Sequence, residues 1–63
     1  MSVNVERRLR NIASSASVIS RRAVDVAIRI FNRKPVGDVL EDIMGAAEFI
    51  KKEALRLIEE TPE

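Results

Sequence analysis

The chain has 63 residues, 46% of them hydrophobic and 33% charged, with a formal net charge of +1. That is one small domain at most, near the lower size limit for a chain that folds alone. With neither cysteine nor histidine, it is denied disulfides, thiolate chemistry, and the commonest general base and metal ligand.

Phe31 and Phe49 are the only aromatic residues, which leaves almost nothing for stacking on nucleic-acid bases. The longest apolar run is far short of a membrane span, and the N-terminus lacks the apolar core of a signal peptide. A soluble cytoplasmic protein is the expectation. Arginine outnumbers lysine, and glutamine is missing as well as cysteine, a thermophile-like composition.

In chain order, the first predicted element is a helix over about 4–33. Its apolar stripe is Val5, Leu9, Ile12, Ala16, Ile19, Ala23, Val26 and Ile30, with spacings that alternate four and three as in packed α-helices. Asn4 is a candidate N-cap, and Glu6 favours the dipole of the first turn. Ala13-Ser14-Ser15-Ala16-Ser17 is the weak point, because serine side chains compete for backbone groups and can open a new helix. A break at 13–17 would give three helices. The stripe crosses it without a phase change, which favours continuity.

The segment 32–38 is the predicted inter-helix turn. Pro35 cannot continue a helix and pushes Lys34 out of the α region, and Gly37 is expected to give the turn its freedom. Asp38 followed by Glu41 resembles a capping box. The second predicted helix covers about 38–60, with the stripe Leu40, Ile43, Ala47, Ile50, Ala54 and Leu57, and 61–63 are expected to fray. Folded back at Pro35, the shorter second helix should leave the first turns of helix one projecting beyond it.

Both apolar faces are wide, covering roughly 160° at 100° per residue. A two-stranded coiled coil needs only a narrow seam, whereas a helix with two apolar neighbours belongs in a four-helix bundle. The fold class is therefore all-α, a helical hairpin expected to dimerise into an antiparallel four-helix bundle. Alanines at 16, 23, 47 and 54 let helix backbones approach closely.

Charge is polarised along the chain. Residues 1–34 carry eight basic side chains against Glu6 and Asp25, whereas residues 35–63 carry eight acids against Lys51, Lys52 and Arg56. Opposite signs suit antiparallel pairing, within the hairpin or across a dimer. Arg7, Arg8, Arg10, Arg21, Arg22 and Arg29 also form a candidate contact for nucleic acid or an acidic protein partner. Glu6 lies four residues before Arg10, and Asp25 lies four from both Arg21 and Arg29, so several of these charges have local partners. No recognition-helix or RNA-binding signature accompanies them.

The acids of the second helix fall on its polar face with no histidine beside them, unlike the inward glutamates of di-metal bundles. No catalytic residue, metal site, cofactor or small-molecule ligand is expected. Phe49 falls on the polar arc near Gly45, a notch where another helix could lie close. The expected function is a non-enzymatic protein–protein interaction module, self-associating or acting as an accessory subunit of a larger assembly. Its interface would be the two stripes, with Phe49 as a second contact. The alternative is a nucleic-acid-associated factor.

Overall fold

The computed structural model describes residues 3–61, which form two helices, α1 (Val3–Phe31) and α2 (Gly37–Glu60), folded into an antiparallel hairpin. The described residues contain no strand. The molecule is a rod of 48 × 15 × 14 Å, as long as a 29-residue helix at a rise of about 1.5 Å per residue requires. Its radius of gyration is 14.8 Å, against about 10.6 Å for a globular chain of this length.

α1 runs unbroken through the serine cluster, so the three-helix alternative is set aside. Ser14 and Ser17 point to solvent, while Ala13 and Ala16 are strong helix formers. No glycine or proline in the cluster gives the helix a reason to stop. Asn4 lies inside the helix rather than capping it.

The turn is built differently from the sequence expectation. α1 ends two residues earlier than position 33, and Arg33 adopts the left-handed conformation, with φ 57°. The Lys34 amide donates to the Arg29 carbonyl (2.8 Å) and the Arg33 amide to the Ile30 carbonyl (3.0 Å). Those two bonds are a Schellman motif, which satisfies the last carbonyls of a helix and normally uses glycine where Arg33 stands. The turn's left-handed residue is thus Arg33, while Gly37 has an ordinary negative φ and starts α2.

The capping box does not form either. Val36 is the N-cap residue of α2 and makes no side-chain capping bond. Asp38 instead accepts from Arg29 Nη1 at 3.1 and 3.3 Å, and the same nitrogen reaches the Pro35 carbonyl at 3.3 Å. One arginine therefore pins the end of α1 to the turn and to the start of α2. Its cation lies at a helix C-terminus and the Asp38 carboxylate at a helix N-terminus, so both complement the dipoles.

At the other end the expected overhang is also corrected. Val5 is buried, and Arg8 reaches across to Glu53 and Glu60. Of the expected fraying segment, Thr61 is held, its amide and hydroxyl both donating to the Leu57 carbonyl. Positions 62 and 63 lie outside the described residues.

Candidate functional site: two flanks of one heptad row

The central rows of both stripes lie between the helices. On α1 these are Val5, Ile12, Ile19 and Val26; on α2 they are Ile43, Ile50 and Leu57. Val5 is buried and the other six are half-buried. In an α-helix each such row has a flank on either side, three or four residues away. The hairpin treats its two flanks unequally.

The covered flank is polar on α1. It consists of Arg8, Ser15, Arg22 and Arg29, facing Val39, Ala46, Glu53 and Glu60 on α2. Arg8 Nη1 sits 3.1 Å from Glu53 Oε2, and its Nε and Nη2 grip Glu60 at 2.8–3.1 Å. Glu53 is the only buried charged residue among those described, and a buried carboxylate persists when an arginine partner satisfies it. The hydrogen bonds from Arg8 hold the Glu60 carboxyl below the usual carboxylate range, partial desolvation opposing them. The same bonds raise the Arg8 guanidinium further above its already high value. Arg22 lies 3.9 Å from Asp42, a loose and exposed pair that contributes little. Every ion pair between the helices thus joins an α1 arginine to an α2 acid. The charge polarity of the chain is used inside the hairpin.

The second flank is uncovered. It consists of Leu9, Ala16, Ala23 and Ile30 on α1, with Leu40, Ala47 and Ala54 on α2. All are exposed except Ala54, which is half-buried. Ile30 is 62% exposed, and beside it Phe31 is 88% exposed. Val24, Met44, Leu55 and Ile58 extend the same side and are also exposed. Only Val5 and Val39 are buried apolar residues among those described, so the hairpin alone has almost no core.

The total surface shows the same deficit. The hairpin exposes 5056 Å², whereas a compact monomer of its mass exposes roughly 4,100 Å². The excess of about 950 Å² is comparable with the roughly 800 Å² that each partner contributes to a standard protein interface.

The predicted site residues therefore divide. The central rows close the hairpin, and the remaining stripe residues make the uncovered face. Of the six arginines, Arg8, Arg22 and Arg29 reach across to α2 and Arg10 pairs with Glu6. Arg29 also meets Asp25 at 3.5 Å. Arg7 and Arg21 carry no ion pair among the described residues. Phe49 is 40% exposed and lies on the side of α2 away from the uncovered face. A β-carbon at Gly45 would meet nothing within 4 Å, so the notch beside Phe49 is open.

The surface depressions at Val18, Arg21, Arg22 and Asp25 and at Val3, Glu6, Arg7 and Arg10 each lie along one helix. They are gaps between neighbouring side chains of α1. The described residues hold no cluster of three or more potential metal ligands, and none of their helices is long and apolar enough to cross a membrane. What the arrangement presents is an apolar face on one side of the rod and paired charges on the other. Arg29 lies where a helix end favours cations, as its sequence position indicates, but sequence reasoning missed its bond to Asp38 across Pro35. No family of known proteins, no curated protein and no solved structure matches the chain.

Proposed function

We propose that this chain is a non-enzymatic helical interaction module that completes a four-helix bundle through its uncovered flank. The observation that carries this reading is the flank itself. It is an apolar strip the length of the rod, free of charge along its centre, on a molecule with about 950 Å² of excess surface by the scaling of compact monomers. Burial of that strip supplies the apolar contact the hairpin lacks, since about 25 cal/mol accrues per Å² removed from water.

A second copy is the preferred partner over a larger assembly that takes the chain as an accessory subunit. Both helices present the same profile on this side, with large residues towards the turn (Ile30, Leu40) and alanines at the middle (Ala16, Ala23, Ala47, Ala54). A two-fold copy therefore sets small against small where the backbones approach. The nucleic-acid reading has less to stand on, because four of its six arginines are engaged with acids of the same hairpin.

The test is a pair of glutamate substitutions followed by sedimentation equilibrium. Ala23→Glu places a carboxylate on the uncovered flank and weakens association at least about 100-fold, since burying an unpaired charge costs several kcal/mol. Ser14→Glu, exposed on the side of α1 turned away from the uncovered flank, leaves association unchanged. Equal behaviour of the two variants would overturn the assignment.

A further inference from the structure

Two hairpins can be related by a two-fold axis in two ways, and they put different helices side by side. With the axis along the rod, both turns lie at the same end and α1 packs against α2 of the other copy. With the axis across the rod, the turns lie at opposite ends, α1 packs against α1, and α2 against α2. All neighbouring helices are antiparallel in both, so helix dipoles do not choose between them.

Side-chain size does choose. Going around α1 away from its own α2, the row beyond the uncovered flank runs Glu6, Ala13, Ser20 and Ala27, all exposed, and past Glu6 at the end of the rod it is small throughout. Going around α2 in the same way, the row is Met44, Lys51 and Ile58, all exposed and all long. The Arg29–Asp38 and Arg8–Glu60 pairs at the two ends fix the relative height of the helices. Ala13, Ser20 and Ala27 stand within about one helical turn of Ile58, Lys51 and Met44 respectively. Turns at the same end fit the long row of one copy into the small row of the other. Turns at opposite ends set small against small, which leaves a groove, and long against long, which forces the helices apart.

Charge adds one point in the same direction. The arginines Arg8, Arg22 and Arg29 are spent on the covered flank, but Lys51 stands beside the uncovered one, and turns at opposite ends would bring it close to its own copy near the axis.

We infer that the partner on the uncovered flank is a second copy with both turns at the same end of the bundle and α1 packed on the other copy's α2. This rests on the interaction-module reading above and specifies its geometry. The arrangement gathers Arg33 and Lys34 of both copies at one end, with the two exposed Phe31 rings beside them.

The chain's lack of cysteine makes disulfide trapping a clean test, because a bridge needs α-carbons within about 7 Å. Three full-length variants are prepared, Ala23→Cys, Ala47→Cys and Ser20→Cys, with light scattering and circular dichroism confirming fold and mass. Mild oxidation of an equimolar mixture of the first two gives a covalent dimer, and neither alone does. Ser20→Cys alone stays unlinked, because its copies lie diagonally across the bundle. A covalent Ser20→Cys dimer, or a dimeric mass with no link in the mixture, overturns the arrangement while leaving self-association standing. A monomeric mass for every variant and the parent chain overturns self-association as well.

Discussion

The two flanks of the central rows share a helix, a heptad period and a length, yet the hairpin uses them for opposite purposes. Arg8, Arg22 and Arg29 meet α2 through ion pairs, with Ser15 half-buried between them. Leu9, Ala16, Ala23 and Ile30 are left in water. Apolarity alone would have closed the hairpin on the second flank. Opposite charge orients the helices instead, because an arginine stem can cover apolar surface while its head finds a carboxylate at the edge. Polar contacts thus set register within the chain, and the apolar strip is left uncovered.

The largest expected effect comes from the row that both flanks share. Ile19→Asp buries an unpaired carboxylate at a cost of several kcal/mol, so helicity and association are lost together. Circular dichroism with light scattering reads both, and a folded monomer in that variant would separate what the shared row is said to join.

On the covered flank, Arg8→Met removes the partner of buried Glu53 and of Glu60. It lowers the thermal midpoint more than Arg22→Met, whose pair is exposed and 3.9 Å long. Acid sharpens the distinction. The Glu60 carboxyl is depressed in the folded state, so its contribution is present above the ordinary glutamate pKa of about 4.3 and is lost as pH falls through the lower folded value. The parent chain should therefore lose more thermal stability than Glu60→Gln as pH drops below about 4.3. Equal losses would remove Glu60 from the account.

Smaller effects test the parts outside either flank. Arg33→Gly relieves a left-handed non-glycine residue in the Schellman turn and stabilises by about 1 kcal/mol, roughly 4–8 °C in a domain of this size. Gly45→Ala stabilises by up to about 1 kcal/mol through helix propensity, since its β-carbon meets only open space. Loss of a larger assembly in that variant would instead mark the Phe49 side as a second contact.

Much of the fold was legible in the residues. Large aliphatics at Ile12, Ile19, Val26, Ile43, Ile50 and Leu57 gave the central rows, and Pro35 gave the break. Continuity through Ser14–Ser17 followed from unbroken phase. The flank that closes the hairpin was not legible, because a helical stripe records apolarity and not ion pairs between residues 45 or 52 apart, as Arg8 has with Glu53 and Glu60. Arg33 was missed for a related reason. Left-handed caps favour glycine, which drew attention to Gly37, while the Lys34 and Arg33 amide bonds that define the turn leave no mark in composition. Asp38 matched a capping pattern but found a stronger partner in Arg29.

The most direct test of the account is the mass of the parent chain in solution, by light scattering over a wide concentration range with far-ultraviolet circular dichroism alongside. Two chains of 7.1 kDa predict a helical particle of about 14 kDa whose helicity falls as dilution separates the copies, as expected of a dimer whose folding and association are coupled. A fully helical monomer at every concentration would contradict it, for the uncovered flank would then need no partner.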